Sequence, residues 1–180
     1  MSGMPKEMRL GHILQEWLNS NTGGELAQFD AELGTAEFQT EHVVNGQKYP
    51  VKMETDETTQ WVGITIRTPW WTPESRFVDA CRLANEINNR LPIGRIVANE
   101  GGPFEFSARF DLEGCVPSPM VITNLTRMAD MALNRFGLAM ARLAFTDLGI
   151  EDLLKVEQEP NVPDLDEMLA DADDTLPPTL

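Results

Sequence analysis

The stretch TAEFQTEHVVNGQKYPVKMET, residues 35–55, decides the fold because it predicts a β-hairpin by itself. Asn45 and Gly46 are typical of a two-residue type I′ turn, in which both residues need positive φ. Counting outward predicts the register, with Val44 facing Gln47, His42 facing Tyr49, Thr40 facing Val51 and Phe38 facing Met53. The other face pairs Gln39 with Lys52 and Glu37 with Glu54. One face is mostly apolar and the other polar, which indicates a sheet covered on one side.

Periodic apolar patterns predict the remaining elements. Helical spacing predicts helices over 6–20, with Pro5 at the first helical position, over 72–91 with Thr72 as N-cap, over 118–145, and a short helix over 150–155. Alternation predicts strands over 60–68, 94–100 and 103–113. The main order, α-β-β-β-α-β-β-α, predicts an α+β domain in which an antiparallel sheet of about five strands packs against helices.

Charge divides the chain into two parts. The 180 residues carry a net charge of −15. Ten acidic residues and one lysine lie after residue 150, which places −9 in the last thirty residues. We therefore expect a single domain over residues 1–150 and an acidic C-terminal tail over residues 151–180. The acidic balance argues against a partner made of nucleic acid, which requires a basic surface.

Cofactors and membranes are not indicated. Cys81 and Cys115 lack CxxC spacing, and His12 and His42 are the only histidines, so no zinc motif is present. No apolar run reaches the roughly 20 residues of a membrane span, and the N-terminus lacks the pattern of a signal peptide. These observations predict a cytoplasmic protein with reduced thiols, without a cofactor and without a membrane contact.

The end of the second predicted helix, LANEINNRLPIGR (residues 83–95), allows two interpretations. Its arginines could form a catalytic cluster with two carboxylates, Glu86 within the stretch and Glu100 shortly after it. However, Glu86 and Arg90 lie four residues apart on the outer face, where such a pair is usually solvated. Asn88 falls on the apolar stripe and Asn85 flanks it. The pattern favours a structural role, in which inward asparagines bond backbone groups of the helix end and the incoming strand.

The stretch from residue 83 to residue 114, followed by a long amphipathic helix, resembles the YbjN-like family of bacterial sensory-transduction regulators. In that family a helix closes on Asn-x-x-Asn, here Asn85 and Asn88, and a strand hairpin and a helix follow. The resemblance covers roughly residues 8–146. It implies a fold similar to that of type III secretion chaperones, often dimeric and with no catalytic residues.

Several apolar side chains are candidates for a protein-binding surface. Adjacent tryptophans rarely both bury in a loop, and tryptophan is enriched at interface hot spots. Methionine adapts to varied partners, and apolar residues within the acidic tail share one side if that segment is helical. The candidate residues are Trp70, Trp71, Met128, Met131, Leu165, Met168 and Leu169.

Together these features predict a non-enzymatic protein-binding domain that acts as a chaperone-like or regulatory adaptor. A homodimer is also expected. The helix over 118–145 would be about 40 Å long, whereas an ordinary strand spans about 20 Å, so the excess needs a second surface. The alternative is a small-ligand sensor or enzyme that uses a pocket between sheet and helices near Arg95, Arg109 and Glu100.

Overall fold

The computed structural model describes residues 8–115 and 118–155, and its centre is the predicted hairpin. Strands β2 (Thr35–Val44) and β3 (Gln47–Asp56) pair in the predicted register throughout. Asn45 and Gly46 have φ of 51° and 78°, the positive values that the turn requires. At ten residues each, β2 and β3 are the longest strands of the sheet.

Four further strands complete one antiparallel sheet. They are β1 (Gln28–Asp30), β4 (Trp61–Arg67), β5 (Arg95–Ala98) and β6 (Phe104–Asp111). The order across the sheet is β1-β2-β3-β4-β6-β5. The sheet has six strands rather than about five, since β1 was not predicted. A strand of three residues is too short to show an alternating pattern.

Helices cover one face of this sheet. They are α1 (Arg9–Asn21), α2 (Phe77–Asn88), α3 (Met120–Phe145) and α4 (Ile150–Lys155). The predicted α+β class is confirmed. Pro5 lies outside the described residues. The prediction that Thr72 caps α2 is wrong, because Thr72 is buried, its N–H donates to the Gly102 carbonyl, and a short 3₁₀ turn precedes α2 at Phe77.

The core lies between the sheet and the helices. The sheet contributes the inward side chains of its alternating strands, and the helices contribute their apolar stripes. Fully buried members include Leu14, Leu18, Ile66, Leu83, Ile87, Phe104, Phe106, Phe136 and Met140. On α2, Leu83 enters the core, whereas Phe77 and Cys81 are only half-buried. Leu153 is also fully buried, so the packed part of the chain includes α4.

Candidate functional site

The β5 edge of the sheet is closed by one side chain. Among the described strands, β5 has a single neighbour, β6. On its free side, the Asn88 side chain donates from Nδ2 to the Ile96 carbonyl at 2.9 Å. The Ile96 N–H donates in return to Asn88 Oδ1 at 2.6 Å. The amide of Asn88 therefore occupies the place that a neighbouring strand would take.

Local sequence brings Ile96 to Asn88. Gly94 adopts a positive φ of 81° just before β5. A Cβ atom there would lie 2.6 Å from the Phe106 ring, so glycine is required both for the conformation and for the close approach. Asn88 is half-buried at the end of α2, and the predicted contact with the incoming strand is present. Asn85 is exposed, and its carbonyl accepts from the Asn89 N–H.

The β2 edge is open over most of its length. Strand β1 pairs only with residues 35–37 of β2, so on that side none of the described strands lies beside residues 38–44. In an antiparallel strand the N–H and C=O of one residue point the same way, and this direction alternates along the chain. Val44 and Gln47 close the two-residue turn and bond each other. The backbone groups of Gln39, Glu41 and Val43 therefore point away from β3.

These three residues are accessible. Each is exposed, and Val43 retains 58% of its surface. Outside the hairpin, no group among residues 8–115 and 118–155 donates to or accepts from their backbone. Within the described part of the chain, the open edge thus has three unpaired N–H groups and three unpaired carbonyls.

A cavity of about 310 Å³ opens beside this edge, on the helix-covered face. Its floor is apolar and comes from three neighbouring strands and α1: Phe38, Val51, Met53, Ile64, Ile66 and Trp17. Its rim is polar and includes Thr40, Glu41, His42, Asn21, Thr22 and Thr126. Since Phe38, Thr40 and His42 belong to the open strand itself, the cavity and the unpaired backbone form one continuous feature. Its volume lies at the lower end of the range for small-molecule sites.

Specific polar contacts hold the walls of the cavity in place. The Trp17 indole N–H donates to Thr123 Oγ1 at 3.1 Å, which joins α1 to α3. The His42 ring hydrogen-bonds the Asp130 carboxylate, which joins β2 to α3. Both helices are therefore fixed relative to the open strand, and the cavity is part of the folded framework.

Charges beside the open edge are paired within the hairpin. Lys48 Nζ lies 2.6 Å from Glu41 Oε2, and this hydrogen bond raises the pKa of Lys48. Lys52 Nζ lies 2.7 Å from Glu54 Oε1 and 2.9 Å from Glu37 Oε2. Hydrogen bonds to these carboxylates raise the pKa of Lys52, and the bond from Lys52 lowers that of Glu37. Such exposed pairs stabilise little, but they leave the edge without an unpaired cation.

The predicted interface residues lie on two separate surfaces. Trp70 is half-buried, with its ring centre 5.9 Å from that of Tyr49 and 6.2 Å from that of Phe145. Trp71 and Phe145 are exposed over 71% and 72% of their surface. We call Trp70, Trp71 and Phe145 the aromatic patch.

The two methionine candidates lie elsewhere. Met128 and Met131 are half-buried on α3, and Met131 precedes Phe145 by about 21 Å of helix. The remaining candidates, Leu165, Met168 and Leu169, lie outside the described residues. The structure therefore does not bring the described candidates together, and the aromatic patch is distinct from the middle of α3.

The residues of the alternative pocket do not line the cavity. The Arg109 guanidinium lies 3.5 Å from the centre of the Trp61 ring, on the outer face of the sheet. Arg95 is exposed at the start of β5, and Glu100 is exposed in the β5–β6 turn. A pocket between sheet and helices is present, but it lies between α1, α3 and the open strand. Sequence patterns missed it because its lining comes from five elements.

The described geometry can be searched for a metal site and for the groups of nucleophilic catalysis. Over residues 8–115 and 118–155, no group of three or more His, Cys, Asp or Glu could hold a metal ion. His42 and Asp130 form a histidine–acid pair, but nucleophilic catalysis would also need a nucleophile within hydrogen-bond reach. The nearby Thr126 hydroxyl instead donates to the Ile122 carbonyl at 2.9 Å. In the same part of the chain, no helix has the length and hydrophobicity needed to span a membrane.

Comparisons with known proteins give similarity at the level of the fold. Neither a protein-family model nor a curated protein sequence matches this chain. A chain of the HopA1–SchA chaperone–effector complex matches with 13% identity and a TM-score of 0.46, over 72% of this chain and 94% of that one. A chain of the ExsC–ExsE complex matches with 10% identity and a TM-score of 0.43, over 73% and 96%. These similarities concern the arrangement of helices and strands.

Proposed function

We propose that this chain is a non-enzymatic protein-binding domain, a chaperone-like or regulatory adaptor of a bacterial cytoplasmic protein. The observation that carries the proposal is the open edge of β2, residues 38–44, with the apolar cavity beside it. An unpaired strand edge is a template for another chain, and folded proteins usually cover or blunt it. Here it is exposed and accessible.

The bound segment of the partner is extended. It pairs with the outward backbone groups of Gln39, Glu41 and Val43, as in other cases of β-strand addition. Seven residues of β-strand cover about 23 Å, which matches the open length. Side chains of an added strand alternate between the two faces of the sheet. Those on the helix-covered face lie next to Thr40 and His42, where the cavity accepts an apolar group.

The net charge of this chain limits which amino acids the bound segment of the partner can contain. The chain carries a net charge of −15, so its field favours the approach of basic or neutral segments and disfavours acidic ones. The carboxylates nearest the edge, Glu41 and Asp130, already have partners in Lys48 and His42. The expected ligand has apolar residues at alternate positions, few acids and no required salt bridge.

Two further parts of the proposal concern family and assembly. The Asn85-x-x-Asn88 pattern, with the contact of Asn88 to β5, supports membership of the YbjN-like family of sensory-transduction regulators. We also infer a homodimer. The aromatic patch is an exposed apolar surface that a second copy could cover, and it leaves the open edge available for the partner.

Selection from a displayed library of random linear peptides against the full chain tests the proposal. The selected peptides should share alternating apolar residues. Val43→Pro removes an outward N–H from the open edge and should weaken their binding at least about tenfold, or about 1.4 kcal/mol. Lys48→Pro is the matched control, because Lys48 faces Val43 and its N–H points to the other side of the hairpin. Equal binding by the wild type and both variants would contradict the proposal.

A small-ligand sensor is the second candidate function. The apolar floor and polar rim of the 310 Å³ cavity favour it, since binding sites for small molecules share that composition. Native mass spectrometry of the protein purified from its own cytosol distinguishes the two functions. A bound metabolite that prevents peptide binding would identify the cavity as the primary site and the open edge as secondary.

A further inference from the structure

The exposed side of α3 differs in charge from the chain as a whole. Arg127, Met131, Asn134, Leu138 and Arg142 recur at spacings of three and four residues and therefore share one side of the helix. We call them the α3 basic face. Leu138 is 51% exposed, although it is apolar. The single acid of α3, Asp130, flanks this face, three residues from Arg127 and four from Asn134, and it pairs with His42.

We propose that the α3 basic face binds the acidic segment around residues 164–169 of the same chain. Residues 156–180 contain eight acids and neither lysine nor arginine, so they carry −8. Within them, Leu165, Met168 and Leu169 recur at the spacing of one helical side. Acids of the segment meet Arg127 and Arg142, and its apolar residues cover Leu138 and Met131. The proposal is independent of the function assigned to the open edge.

The position of α4 makes this contact reachable. Helix α4 packs against α3 and is anchored by the fully buried Leu153, so the chain leaves the described domain beside α3. Eight residues separate Lys155 from Asp164. A chain of nine steps spans up to about 30 Å when extended, and α3 itself is about 39 Å long. The middle of the basic face therefore lies within reach of the segment.

Charge also favours the acidic segment over a second copy of the chain as the ligand of the α3 basic face. Within the described part of the chain, neither Arg127 nor Arg142 forms an ion pair. If two α3 basic faces packed antiparallel about Asn134, Arg127 of each copy would face Arg142 of the other. A parallel pair would place each arginine opposite itself. Both arrangements juxtapose like charges, whereas the acidic segment neutralises them.

Paramagnetic relaxation in the full-length chain tests the contact. A spin label is attached at Ala170→Cys in a Cys81→Ser, Cys115→Ser background, and the broadening of backbone amides is measured over residues 127–142. We expect strong broadening there at 0.1 M salt. It should fall to about one third at 1 M salt, where the Debye length shortens from about 10 Å to about 3 Å. Arg127→Glu with Arg142→Glu should reduce it similarly at low salt.

Two controls make the result decisive. Arg82→Glu with Arg95→Glu makes the same charge change at exposed arginines elsewhere, and should leave the broadening unchanged. A second sample mixes spin-labelled chain that lacks ¹⁵N with ¹⁵N-enriched chain that lacks the spin label. Broadening in this sample reports contacts between copies. Broadening of the same size in that mixture would overturn the intramolecular contact. So would broadening that neither salt nor the charge changes on α3 can reduce.

Discussion

The two outer edges of the sheet differ in whether their outward backbone groups are hydrogen-bonded. At one edge, the four-residue strand β5 has its central backbone groups bonded by Asn88. At the other, β2 runs seven residues past the end of its pairing with β1, and its outward groups face solvent. The shorter edge is closed and the longer one is open. Because an open edge can pair with another chain, we propose this edge, together with the cavity beside it, as the binding surface.

The outer edge of β3, the second strand of the hairpin, also differs from the open edge of β2. Strand β3 pairs with β4 only over residues 51–56, so residues 47–50 also extend beyond the sheet. There, however, Pro50 has no N–H to offer, and its place opposite Glu41 directs its nitrogen away from β2. Proline is one of the residues that blunt exposed edges in natural proteins. The hairpin therefore presents one receptive edge, on β2.

Opening the closed edge should have the largest effect on stability. Asn88→Ala removes both hydrogen bonds to Ile96 and leaves a partly buried N–H and C=O unpaired. We expect the free energy of unfolding to fall by about 1–3 kcal/mol. Urea denaturation followed by circular dichroism measures this change.

Asn85→Ala provides the control for that prediction. Asn85 has the same side chain, lies one turn earlier on α2 and is exposed. We expect its substitution to change stability by less than about 0.5 kcal/mol. If the two variants unfold at the same urea concentration, Asn88 does not close the β5 edge in solution, and the contrast between the edges fails.

Filling the cavity tests the open edge of β2. We expect an intermediate effect, on the affinity for a bound peptide. Thr126 lines the cavity and is half-buried. Thr126→Met places a longer apolar side chain in it, and we expect the affinity for a selected peptide to fall about fivefold, near 1 kcal/mol. Fluorescence anisotropy of a labelled peptide measures this loss. Thr126→Val keeps the size of the side chain and should bind as the wild type does, whereas unchanged affinity in both variants would mean that backbone pairing alone holds the peptide.

The hairpin and the sheet faces could be predicted from sequence because their signals are local. The Asn45-Gly46 turn fixes the register, and strict alternation from Phe104 onward fixes which side chains enter the core. The role of Asn88 was also predictable, because its position on the apolar stripe of α2 follows from helical spacing. In each case the pattern and its structural cause lie within about twenty residues.

The candidate site could not be predicted because its signals are not local. Whether β2 has a neighbour depends on β1, whose three residues carry no periodic pattern. The cavity needs the positions of α1 and α3 relative to three strands, and these follow from packing across the whole chain. The pair Trp70-Trp71 shows the same limit, since sequence indicated an interface anchor but only the fold distinguishes the half-buried residue from the exposed one.

Substitution of Trp71 should have the smallest effect on folding. It tests whether the aromatic patch and the open edge bind different partners. Because its side chain is 71% exposed, Trp71→Ala should change the free energy of unfolding by less than about 0.5 kcal/mol. If a second copy covers the patch, the same variant should weaken the dimer about tenfold, as removal of an interface tryptophan commonly does. Light scattering over a concentration series measures this shift, and peptide affinity at the open edge should stay unchanged. Trp70→Ala provides a contrast in stability, because Trp70 is half-buried and contacts Tyr49 and Phe145, so its removal should also lower the free energy of unfolding. A wild-type chain that remains monomeric throughout the series would remove the dimer from the proposal, and a loss of peptide affinity in Trp71→Ala would move the partner site from the edge to the patch.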